Sequence, residues 1–198
     1  MAFDMHDYLC PTAGITYLLS SSESCRSVIC ADGWINFCKN RHKEEFRVDE
    51  NYIYRGSDTS LISSDGVNPV GTFYTQYDGD NYGAIWCPRY MLLGETVERH
   101  CRVVVRDYLC NILNDYSESS PLTFVDHFDR IEFPGGLIVS DIIQLRWSGE
   151  EGYLYANQLG LVGWRNIVSG QFGNYVVALN VSTPAPPFEQ CLTRPFIG

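Results

Sequence analysis

Residues 133–164 read FPGGLIVSDIIQLRWSGEEGYLYANQLGLVGW, and this stretch decides the fold. Two apolar-rich runs, 137–147 and 153–164, flank Ser148-Gly149-Glu150-Glu151-Gly152, a short acidic turn with a glycine near each end. Both runs mix β-branched and aromatic residues with polar ones at short intervals, as a strand with one wet face should. Two such runs joined by a tight glycine-containing turn form an antiparallel hairpin.

Outward from this hairpin the same grammar repeats. Segments 15–20, 26–31, 34–38, 46–55, 72–77, 82–87, 123–133 and 173–181 have strand character and are separated by Gly, Pro, Asn, Asp and Ser. In 97–109 the residues alternate. Cys101, Val103 and Val105 fall on one face, while His100, Arg102, Val104 and Arg106 fall on the other, which places Cys101 in a core and Arg102 and Arg106 toward water. The polar stretches 56–71 and 114–121 are expected as loops, and 78–81 (Asp-Gly-Asp-Asn) as a hairpin turn. Only 109–113 and the approach to Met91 have any helical character. The count comes to about ten strands, and the fold class is all-β.

The chain has 198 residues, enough for one domain. A domain of that size buries about 70% of the surface of its unfolded chain, so no staples are needed to form a core. Residues 1–14 are read as an N-terminal arm, 15–182 as a single β domain, and the Pro-rich 183–198 as a C-terminal arm. The net charge of -10 argues against a nucleic-acid partner, which needs clustered Lys and Arg. No run reaches the ~20 apolar residues of a membrane helix. The N-terminus lacks a basic secretory lead, so the expectations are a chain made and used in the cytoplasm, a mature product, or one made in the cytoplasm and incorporated into a particle. Without a secretory lead, the default for the eight cysteines is reduced, buried thiols.

Tyr8-Leu9-Cys10-Pro11 with Gly14-Ile15-Thr16-Tyr17 resembles the opening of certain bacterial envelope and lipoprotein-like all-β domains. The order of later elements is similar too: Pro88, Met91 and Gly94-Glu95-Thr96, then Phe133-Pro134-Gly135-Gly136, then the run from Tyr153 to Val162. The resemblance implies an antiparallel sheet wrapped as a half-barrel or β-sandwich, without known catalysis. The chain departs from that pattern in having Tyr17 where a tryptophan is usual, and in its many cysteines.

Candidate chemistry is sparse. Cys25, Cys30, Cys38 and His42 are zinc-ligand types, but they lack the tight pairing of zinc sites and read better as cysteines of neighbouring strands. Asp78, Asp80 and Asn81 lack the glycine and glutamate of a calcium loop. Gly160-Leu161-Val162-Gly163 is not followed by a helix to hold a phosphate, so it reads as a bulge. His127, between Asp126 and Asp129, is the best general-base candidate, yet no nucleophile motif accompanies it. No catalytic residue, metal or cofactor is therefore assigned.

Aromatic residues remain, and the expected binding surface is Tyr77, Asp78, Asp80, Tyr82 and Trp86. The functional expectation is a non-enzymatic structural or binding protein, acting through protein–protein contacts in a larger assembly such as a virion accessory or decoration protein. The alternatives are a carbohydrate- or ligand-binding β module and a Cys/His-dependent hydrolase.

Overall fold

The structure, a computed structural model, describes residues 1–12, 14–22, 24–29, 35–39, 42–62, 69–75, 83–107 and 109–181, with the side chains of 24–29, 35–39, 42–43, 59–62 and 69 outside the description. Among these residues the chain is all-β apart from one helical turn. In order the elements are β1 (Ala2–Asp4), α1 (His6–Leu9), β2 (Thr16–Leu19), β3 (Ser24–Ile29), β4 (Ile35–Lys39), β5 (His42–Val48), β6 (Tyr52–Ile62) and β7 (Pro69–Thr75). They continue with β8 (Ala84–Pro88), β9 (Tyr90–Leu92), β10 (Thr96–Arg106), β11 (Ile112–Glu132), β12 (Ile138–Arg146), β13 (Glu151–Ala156), β14 (Gly160–Asn166) and β15 (Phe172–Leu179).

Thirteen strands form one antiparallel sheet in the order β5-β4-β3-β2-β15-β14-β13-β12-β11-β10-β7-β6-β8. β5 also pairs with β6, so the first strand of that order meets the strand next to its last. The sheet therefore wraps, and its inward side chains share one core. That core runs from Tyr17 and Phe46 through Ile53, Trp86 and Phe124 to Leu145, Tyr155 and Val162. Burial of so many apolar side chains, each contributing roughly 1.5–3 kcal/mol, is the main driving force.

The run 137–147 forms β12, but 153–164, expected as a single second strand, is two antiparallel strands, β13 and β14, turned at 157–159; Leu145 lies opposite Tyr153 and Tyr153 opposite Trp164. Leu154 pairs with Gly163 and Tyr155 with Leu161, which leaves Val162 as the extra residue of a β-bulge. Gly163 must be glycine because a Cβ there would lie 2.5 Å from the Asn174 carbonyl oxygen on β15.

The N-terminal segment is part of the body. β1 pairs with β9, Phe3 opposite Met91, and Met5, Tyr8 and Leu9 are buried. Asp4 starts the helical turn by accepting from the His6 N–H at 3.0 Å, and Pro11 follows its end.

Several sequence expectations need correcting. Residues 56–62 belong to β6 and 69–71 to β7, not to a long contact loop; 63–68 lie outside the described residues. Residues 114–121 are strand, because β10 pairs along them, Val104 opposite Asp115 and Glu98 opposite Pro121. The stretch 109–113 is not helical: Cys110 has φ +69° and Ile112 begins β11. The approach to Met91 is β9. Fifteen strands are described where about ten were expected. No described helix is long and apolar enough to cross a membrane.

Candidate functional site

Arg55 lies on β6, opposite Phe46 of β5 on one side and Ala84 of β8 on the other. With strands on both flanks its side chain is buried. Its Nη2 donates to Glu44 Oε1 and to Asp58 Oδ2, both at 2.9 Å. Residues three apart on a strand face opposite sides. A register shift between the Phe46–Arg55 and Glu44–Asp58 pairs brings Asp58 back to the Arg55 side. Glu44 and Asp58 face each other directly, a repulsive pairing that the guanidinium between them reverses. Burial alone would lower the pKa of Arg55, but Asp58 and Glu44 raise it above its ordinary value.

A second arginine approaches from β10. Arg99 is 4% exposed, and its guanidinium lies 3.8 Å from the centre of the Trp86 ring; that of Arg55 lies 4.5 Å from the same ring. Cation–π contact with both guanidinium groups is thus built around Trp86. Trp86 also meets Tyr74 and Trp147 edge-on at 5.5 and 5.6 Å, and Trp147 stacks on Tyr153 at 3.9 Å. Arg99 Nη2 donates to Ser120 Oγ at 2.5 Å. Its Nε and Nη1 have no hydrogen-bond partner among the described residues, nor do Trp86 Nε1, Arg55 Nε, Glu44 Oε2 and Tyr155 OH. Burial, then the nearby Arg55 charge, depress the pKa of Arg99. Burial and Glu44 raise the Tyr155 phenol well above its usual value.

The neighbouring Cys101 donates to Glu118 Oε1 at 3.5 Å, and burial with the Glu118 charge pushes its thiol up to about 12. Cys10 is likewise raised to about 12 by burial, and the buried Cys87 thiol is also raised. These three cysteines are free. Cys110 is disulfide-bonded, an exception to the reduced-thiol default.

His127 belongs to a different centre. Asp141 Oδ1 accepts from Tyr8 OH at 2.7 Å and pairs with His127 Nε2 at 3.0 Å, and Oδ2 accepts from Asn157 Nδ2 at 2.8 Å. Burial alone would raise its carboxyl, but hydrogen bonds from Tyr8, His127 and Asn157 hold it below the usual carboxylate range. The His127 ring packs on Phe3 at 4.7 Å. Among the described residues no serine or cysteine is hydrogen-bonded to His127.

Of the expected binding residues, Tyr77, Asp78, Asp80 and Tyr82 lie outside the described residues. Trp86 is 2% exposed and forms the middle of the buried centre, not part of an outer stacking surface. Cys25, Cys30, Cys38 and His42, weighed as zinc ligands, have side chains outside the description. Sequence reasoning missed Arg55, Glu44, Asp58 and Arg99. The signal for Arg99 was present, since alternation along β10 puts it on the Cys101 face. Compared with protein-family models, curated proteins and solved structures, the chain matches none.

Proposed function

We propose that the chain is a non-enzymatic binding protein whose wrapped sheet holds a small polar molecule at the Arg55–Trp86–Arg99 centre. One observation carries this reading: six buried polar atoms around one tryptophan and its neighbours have no partner among the described residues. Each such atom costs about 1–3 kcal/mol unless a partner other than the described residues satisfies it. Aromatic walls with a few convergent polar groups are the usual make-up of a ligand site. The high thiol pKa values of Cys10, Cys87 and Cys101 support a role without covalent chemistry. A thermal-shift screen of the full chain against sugars, nucleosides, amines, neutral aromatics and organic acids tests the reading. At least one class should raise the melting temperature, with a smaller shift in Trp86→Phe. Silence across all classes sinks it.

A second reading, contact with protein partners in a larger assembly, is favoured by the end of the β10–β11 hairpin. Leu109, Ile112 and Leu113 are 63%, 55% and 57% exposed there. Clustered exposed apolar side chains mark interaction sites. Replacing all three by serine should shift an assembled species toward monomer in sedimentation. An unchanged profile removes the reading.

A further inference from the structure

Resting on the reading that this centre binds a small molecule, we infer that the ligand carries a single carboxylate, with Arg99 as its anchor and the Trp86 N–H as a second donor. Of the six unpartnered atoms, Arg55 Nε, Arg99 Nε, Arg99 Nη1 and Trp86 Nε1 can only donate. Glu44 Oε2 alone can only accept, and Tyr155 OH can do either. Among the described residues the centre is short of acceptors, and a ligand would bring them.

The two arginines differ in what already balances their charge. Arg55 holds Glu44 and Asp58 at 2.9 Å each. Arg99 has no salt bridge among the described residues, and the hydroxyl of Ser120 is its one hydrogen-bond partner there. Removed from water, Arg99 feels the Glu118 charge through space but holds no carboxylate in contact among the described residues, and a carboxylate matches its planar fork better than other common anions of one charge. The charge is limited to one because the Arg55 group already holds one carboxylate more than it has cations. A doubly charged phosphate would add repulsion from Glu44, Asp58 and Glu118. The rings of Trp86, Tyr74 and Trp147 suit a flat apolar body behind the carboxylate.

The test compares acid and amide isosteres on the full chain, with benzoate against benzamide and indole-3-acetate against indole-3-acetamide. Binding is read by thermal shift and by quenching of tryptophan emission. Acids should bind about tenfold or more tighter than their amides, the size expected for a hydrogen bond to a charged group. Arg99→Met should abolish acid binding, while Arg102→Met, an exposed arginine paired with Asp115, should leave it unchanged. The isostere ratio in the unaltered protein stands even if Arg99→Met fails to fold. Amides binding as well as acids, or acid binding that survives in Arg99→Met, overturns the inference. Binding of a sugar or amine, weakened in Trp86→Phe while every acid is silent, overturns it and leaves the binding reading intact. Silence from all classes, the result for a centre filled by water alone, overturns both.

Discussion

Asp141 and Arg99 each place a charge under partial or full cover, and the chain treats them in opposite ways. Around Asp141 the surrounding side chains supply what the carboxylate needs, with a phenol, an imidazole and an amide converging on its two oxygens. Around Arg99 they supply one hydroxyl and one aromatic face, and two of its three nitrogens have no partner among the described residues. A network satisfied from within holds parts of the chain together. Here it ties the N-terminal turn to β11, β12 and the β13–β14 turn. A network left incomplete in a buried place is where something from outside can be held. The difference separates a lock from a site.

The contrast is sharpest between the two arginines that share Trp86. Arg55→Ala leaves Glu44 and Asp58 facing each other without a cation, and should cost about 3–5 kcal/mol in urea unfolding. Arg99→Met removes a cation that has no salt bridge among the described residues and fills the space with an apolar chain. Its stability should stay within about 1 kcal/mol of the parent, or rise. Equal losses for the two variants would mean that Arg99 is a structural cation like Arg55, and the distinction between lock and site would fail.

Much of the frame was legible in the sequence, and the reason is periodicity. The hairpin 133–164 and the alternation along β10 follow from side chains that point to opposite faces at every step. What was not legible depended on partners. Asn114 to Pro121 looks like loop by composition, yet β10 offers it a continuous ladder, and pairing overrides polarity. The site was harder, because composition places arginine and glutamate outside. The bulge that brings Asp58 to Arg55 has Gly56 as its one sequence mark, and that glycine reads equally well as the start of a loop. Trp86 was singled out for stacking outward, whereas its ring is used inward, against two guanidinium groups.

The smaller effects lie on the Asp141 side and test whether it is only a lock. Tyr8→Phe removes one of several donors and should cost about 1 kcal/mol. Asp141→Asn suits the backbone, since Asp141 has φ +53° and asparagine tolerates that left-handed conformation as well as aspartate does. Its effect should therefore report on the lost charge and on the one acceptor oxygen that the amide no longer offers, not on backbone strain. The folded carboxyl of Asp141 titrates below its unfolded value. Its contribution is accordingly present above the ordinary carboxylate range, near pH ~4, and is lost as pH falls through the lower folded value. Protection of residues 2–12 against hydrogen exchange, taken relative to the intrinsic rate at each pH, should then fall on acidification in the parent protein. The acid step should be much reduced in Asp141→Asn, because the variant has no carboxylate there to titrate. Ligand affinity at the Arg99 centre should be the same in the parent and in Asp141→Asn at neutral pH. An Asp141→Asn variant that lost ligand binding while its N-terminal turn stayed protected would show that the two centres are coupled.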